Sequence, residues 1–318
     1  MFAKLDKKDK QILWELDANC RQPLSKIAKK VRLSKEAVYY RIKSLENKKV
    51  ILGYTVFVSL AKLNLIQAKF LIKFQNTTKE IKKQIIDYFV AHKTTNWVGT
   101  CKGSYDLIVG FVVNNINKLN NIKEDFLNNY SDFILKTNFS IMIEAELYGR
   151  KYFLNSNPKT ISYIGSPENI ALDNIDIQVL NLLTKNSRQK VTEIALKLNT
   201  TARVVSYKIK QLEKKGVIQK YTVALSHSRL GVSFFKLFIY LANTRNKKKI
   251  IEFLANNKFC FGNVDAFAEW SIEPEFEVYS TEELYKIVDK LEERFGSDIK
   301  TIDTIMIDKE YKFKPLPE

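Results

Sequence analysis

At 318 residues the chain has room for two to four small domains, each able to bury a core of its own. Its 45% hydrophobic and 27% charged content is ordinary for a soluble protein, and no run reaches the ~18 apolar residues of a bilayer span. Met1 to Asp6 lack the apolar core of a signal peptide, so export is not expected and a cytoplasmic location is.

The net charge of +17 is unevenly spread. Residues 1–50 hold 14 Lys+Arg against 6 Asp+Glu, residues 168–220 hold 10 against 5, and residues 221–318 hold 14 against 16. Phosphate-binding segments need that polarity, whereas a merely solvated surface does not. Cys20, Cys101 and Cys260 are widely spaced and form no Cys-x-x-Cys pair, as expected of reduced, packed thiols. With only His92 and His227 besides, neither a metal site nor a nucleophile–base motif can be assembled, so no cofactor and no enzyme activity are expected.

Residues 5–63 recur without a gap at 172–230, with 26 of 59 positions identical. In the first copy, a helix from Asp6 or Lys7 to Ala18 aligns Ile12, Leu13 and Leu16; its twin aligns Val179, Leu180 and Leu183. Asn19 and Asn186 break it, and a shorter helix follows with Pro23 in its first turn and Leu24, Ile27 and Ala28 inward, matched by Val191, Ile194 and Ala195. Ser34 and Thr201 are suited to cap a third helix. Its apolar stripe is Val38, Ile42 and Leu45, repeated as Val205, Ile209 and Leu212. A strand through Tyr54-Thr55-Val56, or Tyr221-Thr222-Val223, closes each unit.

The other face of the third helix carries Lys35, Glu36, Tyr39, Tyr40, Arg41 and Lys43 in copy one, and Arg203, Ser206, Tyr207, Lys208 and Lys210 in copy two. Lys and Arg reach phosphates and base edges, and Tyr and Ser hydroxyls donate to phosphate. A soluble basic helix is the bland alternative, but a helix–turn–helix with a cationic third helix occurring twice favours two DNA-reading heads. The candidate DNA-binding set is these residues together with the capping Ser34 and Thr201.

Between and after the heads, the pattern is strand, helix, two strands, helix, strand: Ala68–Phe74, Lys79–Ala91, Asn96–Cys101, Leu107–Val113, Ile116–Tyr130 and Ile134–Ala145 in copy one. That order gives a ferredoxin-like βαββαβ sheet. Residues 155–170, with Pro158, Gly165, Ser166 and Pro167, are expected to be a linker. Stretched, they would reach ~50 Å, more than the ~34 Å between half-sites one DNA turn apart.

Leu5-Asp6-x-x-Asp9-x-x-Ile12-Leu13, Leu33-Ser34-x-x-x-Val38-x-x-Arg41-Ile42-x-x-Leu45-Glu46 and Gly216-Val217-Ile218-x-x-Tyr221 resemble the leucine-responsive/asparagine-responsive (Lrp/AsnC, feast/famine) transcription regulators. The chain looks like a tandem-duplicated, archaeal-type member. Lys49 stands where the exit motif has glycine, and Arg32 and Asn199 where the family's turn has one. The resemblance implies an α+β architecture of two winged helix–turn–helix domains (1–64, 171–231), each followed by a ferredoxin-like (RAM-type) domain (65–154, 232–318). It also implies a partner in double-stranded DNA, an amino acid or other small effector, and assembly through the ferredoxin-like domains. Gly-x-x-Asp before an apolar strand makes Gly103, Tyr105 and Asp106 the effector candidates, although Gly103 as a tight turn and Asp106 as its cap is an equal reading. Copy two has Ala268 and Ser271 instead of that glycine and aspartate.

A sequence-specific regulator with two unlike heads in one chain is therefore expected, acting as a pseudo-dimer. The alternatives are a chromatin-like architectural protein binding by charge alone, an enzyme akin to the haem-biosynthesis decarboxylases that resemble this fold, and a pure ligand sensor whose basic helices are idle.

Overall fold

The computed structural model describes residues 2–156, 160–164, 168 and 170–316. The first repeat runs α1 (Lys7–Asn19), α2 (Leu24–Val31), α3 (Lys35–Asn47), β1 (Ile51–Val58), β2 (Ile66–Phe74), α4 (Lys79–Ala91), β3 (Thr95–Gly103), β4 (Leu107–Val113), α5 (Ile116–Tyr130) and β5 (Ile134–Leu147). After β6 (Ile161–Ile164), the second runs α6 (Asn174–Lys185), α7 (Val191–Lys197), α8 (Ala202–Lys214), β7 (Ile218–Leu225), the single turn α9 (His227–Leu230), β8 (Ser233–Leu241), α10 (Lys247–Ala255), β9 (Cys260–Phe267), β10 (Glu273–Val278), α11 (Thr281–Phe295) and β11 (Ile299–Phe313). The expected linker thus contains a strand, β6, pairing with Glu144–Leu147 of β5. It is no free span over its whole length. Pro158, Gly165, Ser166 and Pro167 lie outside the described residues.

The heads form for local reasons that recur. Asp6 and Asp9 close a reciprocal capping box on α1, and Asp173 and Asp176 do the same on α6. The three-helix stripes read from the sequence face the core, Ile12, Leu13, Leu16 and Val38 completely buried, with Leu24 and Val191 only half-buried at its margin. Tyr54 donates to Glu46 and Tyr221 to Glu213, each at 2.7 Å, fastening the third helix to the strand after it.

β1 and β7 pair antiparallel into one ribbon, with Thr55 opposite Thr222. These residues are 167 apart, so an approximate two-fold axis passes between them. The surrounding bonds obey it. Cys20 N donates to Tyr221 O (3.2 Å) and Ser187 N to Tyr54 O (3.1 Å); Ser59 N to Val217 O (2.9 Å) and Ser226 N to Val50 O (3.0 Å). Thr55 Oγ1 donates to Thr184 O and Thr222 Oγ1 to Asp17 O. Each head therefore satisfies the other's backbone, and their cores merge into one apolar cluster.

The ferredoxin-like units do not stay separate either. β5 pairs with β2 of its own unit through Ile134–Ile141, then continues along β9 of the other through Ile141–Leu147. β11 reciprocates, pairing with β8 and then with β3. Eight strands close in the order β2-β4-β3-β11-β8-β10-β9-β5 and back to β2. Closure covers the edges of β3 and β9, which an isolated unit would expose. Phe70, Phe89, Phe111 and Phe126 pack the first helix layer outside this barrel.

Where heads and barrel meet, the 150–152 segment and α9 converge on one carboxylate of β10, and α1 joins them through Arg150. Glu277, fully buried, takes a bidentate pair from Arg150 (Nε and Nη2, 2.8 and 2.9 Å), a bond from His227 Nε2 at 2.9 Å and one from the Tyr152 hydroxyl. Arg150 Nη1 also donates to Asp17 of α1 at 2.5 Å. Burial alone would raise the Glu277 pKa, but the Arg150 charge and the His227 bond hold it well below its ordinary 4.5.

Lys49 sits at φ +57° where copy two has Gly216 at φ +67°. Lys49→Gly is expected to raise stability by about 1 kcal/mol in urea denaturation, since the left-handed region costs a side chain about that much. A carboxylate with a depressed native pKa stabilises fully above its ordinary value and progressively less as pH falls through the native one. Melting temperature is therefore expected to hold down to about pH 5 and fall steeply below about pH 4. Glu277→Gln, which leaves Arg150 with only Asp17, is expected to cost about 3 kcal/mol at neutral pH and to flatten that acid limb.

Candidate nucleic-acid interface

α3 and α8 are each capped by a hydroxyl: Ser34 Oγ accepts from Ala37 N at 3.1 Å and Thr201 Oγ1 from Val204 N at 3.3 Å. Burying Val38, Ile42 and Leu45 turns the opposite face of α3 outward, and Val205, Ile209 and Leu212 do so for α8. Lys35, Glu36, Tyr39, Tyr40 and Lys43 are exposed on the first head, Tyr40 at 71%. Arg203, Tyr207 and Lys210 are exposed on the second, with Ser206 half-buried beside them. Tyr39 and Tyr40, 46% and 71% exposed on one cationic helix, lie outside the apolar core. They suit stacking and phosphate contact. Tyr39 and Tyr40 meet edge to face at 5.6 Å, and Lys43 lies 5.9 Å from the Tyr39 ring while bonding Glu46 at 2.7 Å.

Two of the candidates have a different task. Arg41 is bound by Asp6 Oδ2 (2.8 Å) and Asp9 Oδ1 (2.7 Å), and Lys208 by Asp173 and by Asp176 Oδ1 (3.3 Å). These cations tie the third helix to the capping box of the first instead of standing free for phosphate. The family-like motif pair, Leu-Asp-x-x-Asp and the helix arginine, is thus one structural clamp.

The effector candidates are also occupied. The Tyr105 ring is buried, edge-on to Phe238 at 6.1 Å and under Lys136 Nζ at 4.7 Å. Asp106 accepts from Phe74 N at 2.9 Å and Lys73 Nζ at 3.2 Å. At Gly103, φ +122°, any Cβ would collide with the carbonyl oxygen of Thr304. Gly103 lies where β3 meets β11, Tyr105 packs against β8, and Asp106 fastens the turn after β3 to the end of β2. The turn-and-cap reading suits them.

Sequence reasoning missed the barrel interior. β10 carries Glu273, Glu275 and Glu277 on one face, where β4 of the first copy carries Ile108, Gly110 and Val112. The alternating Glu-Pro-Glu-Phe-Glu run was the available signal. A chamber of about 500 Å³ opens there, between the barrel and the β1–β7 ribbon. No group of His, Cys, Asp and Glu able to hold a metal occurs among the described residues.

A family model described as AsnC-type helix-turn-helix domain matches residues 5–46, and one described as winged helix-turn-helix DNA-binding matches residues 172–219. The transcriptional regulator LrpB of Bacillus subtilis is 32% identical over 84 residues, covering 26% of this chain and 56% of that regulator. The chain thus spans little more than half the length of that relative. A helix-turn-helix regulator of Pyrococcus furiosus is 33% identical over 101 residues, 32% of this chain and 68% of its own. Among solved structures, the siroheme decarboxylase NirDL superposes with a TM-score of 0.66, covering 98% of this chain and 94% of that one at 11% identity. At that identity the likeness is one of fold, and it extends over both repeats.

The division between reaching and clamping cations is measurable. Lys35→Ala and Arg203→Ala are each expected to reduce the salt slope of DNA binding by about one and leave the melting temperature unchanged. Arg41→Ala, which strands two carboxylates at the α1 terminus, is expected to lower the melting temperature.

Proposed function

The chain belongs to the Lrp/AsnC family, and from that premise we propose that it is a sequence-specific DNA-binding transcription regulator whose two heads act together as a dimer within one polypeptide. The observation that carries the reading is the pair of exposed cationic helices related by the axis through Thr55 and Thr222. Rotation about a two-fold preserves height along the axis, so whatever α3 presents in that direction α8 presents too. Two such helices suit successive major grooves on one face of a duplex, ~34 Å apart.

The heads are unlike where they would meet bases. Glu36 stands against Arg203, Tyr39 against Ser206 and Lys35 against Ala202. Identical heads read palindromes; these should read two different half-sites. Base-edge discrimination is worth ~1–3 kcal/mol per good contact, so a pure charge-binding, chromatin-like role would leave these differences without consequence. By family resemblance the proposal extends to modulation by an amino acid or other small effector and to assembly of chains through the outer surfaces of the barrel. It does not extend to catalysis. The fold likeness to a siroheme decarboxylase is answered by adding siroheme to the purified protein, where no change in its absorbance and no decarboxylated product are expected.

Hydroxyl-radical footprinting on selected genomic sites is expected to protect two patches about one turn apart with non-identical consensus sequences. Tyr39→Ala should relax one patch and Arg203→Ala the other. A perfect palindrome, or equal affinity for random duplex at about 150 mM salt, would refute the reading.

A further inference from the structure

The two repeats build the same lysine into the barrel wall and surround it differently. Lys236 on β8 lies opposite Glu275 of β10 and bonds it, while also donating to Glu273 at 3.1 Å. Its counterpart Lys69 on β2 lies opposite Gly110 of β4. Lys69 is 3% exposed, and among the described residues its ammonium bonds only Glu273, an oxygen it shares with Lys236. An ammonium has three donors. The first copy therefore keeps the buried cation and has lost the cross-strand carboxylate.

The space left by that carboxylate is shaped. A register shift between Thr95 and Trp97 makes Asn96 a bulge residue on β3, and bulges re-aim side chains. The Asn96 side chain lies over Gly110, its Oδ1 2.6 Å from where a Cβ would stand. That atom is buried and has no hydrogen-bond partner among the described residues. Lys69, Gly110, Asn96 and Trp97 all line the chamber of about 500 Å³, whose remaining walls include Met142, Leu147 and Phe261. The other charged groups here are engaged: Arg150 and His227 on Glu277, Lys236 on Glu273 and Glu275, Glu310 on Trp97 Nε1. Eight-stranded barrels are wide enough to hold one small ligand.

We propose that this chamber binds a small organic carboxylate with an apolar body, its carboxylate taking on the first copy's wall the place that Glu275 holds on the second. Lys69 donates to one oxygen, a half-turn of the Asn96 amide brings Nδ2 in place of Oδ1 to donate to the other, and the apolar body lies against Trp97, Met142, Leu147 and Phe261. Lys69 spends one of its three donors on Glu273, and the donors left beside one amide match a monoanion's two oxygens. The site is distinct from Gly103, Tyr105 and Asp106, and it stands whether or not the heads bind DNA.

Calorimetric titration of the full chain with decanoate, 4-phenylbutyrate and indole-3-acetate, each beside its neutral amide, tests this. At least one acid is expected to bind about tenfold or more tightly than its amide, the worth of one charge-assisted hydrogen bond. Lys69→Met is expected to abolish acid binding while the circular dichroism spectrum stays that of the parent, and Gly110→Glu, whose Cβ displaces the Asn96 amide while its carboxylate fills the space, is expected to abolish it as well. Equal binding of acid and amide, no acid binding at millimolar concentration, or undiminished binding by a folded Lys69→Met or Gly110→Glu protein would each overturn the proposal. If either variant fails to fold, the acid-against-amide comparison on the unaltered chain decides.

Discussion

The antiparallel pairing of β1 with β7, centred on Thr55 and Thr222, is the constraint on which the rest of the molecule depends. A lone two-stranded ribbon is marginal in water, and this one persists because helices from both heads pack on it. α1 lies on the second head's strand and α6 on the first's, each anchored by a threonine hydroxyl bonded across the axis. Neither head can bury its strand without the other. The heads are thereby held as a pair, and the barrel repeats the logic through the shared strands β5 and β11.

Joining both halves in one chain frees them from identity. In a symmetric dimer every residue serves twice, so no position can differ across the axis. Here the positions that build the axis have stayed matched: Tyr54 and Tyr221, Val50 and Val217, Ser59 and Ser226. The surfaces facing outward on α3 and α8 have diverged, and so has the interior wall, where Gly110 faces Lys69 and Glu275 faces Lys236. The junction at Glu277 is also asymmetric: Arg150 and Asp17 come from the first repeat, His227 and Glu277 from the second. A buried carboxylate with two basic partners and a tyrosine tolerates the low-dielectric interior only as a complete set.

The heads were legible because their determinants are local. Capping boxes, apolar stripes and the turn positions of Arg32 and Asn199, both left-handed, can be read along the chain. The direction of a charged side chain is not local. Arg41 and Lys43 are two positions apart on one helix, yet Arg41 turns to Asp6 and Asp9 while Lys43 stays exposed. Choosing between them needed the position of α1. The element order of the ferredoxin-like units was also readable, but strand exchange was not. Nothing in the alternation of β5 says that it changes partner at Ile141. The surroundings of Gly103 and Tyr105 were unreadable for the same reason, since Thr304 and Phe238 of the second copy pack on them.

The central claim is that one chain supplies both reading heads for one site. Native mass spectrometry of the protein on a duplex carrying a selected site measures this as a stoichiometry. A complex of one chain per site, with the full two-patch affinity, is the expected result. A requirement for two chains before either patch is bound would contradict it.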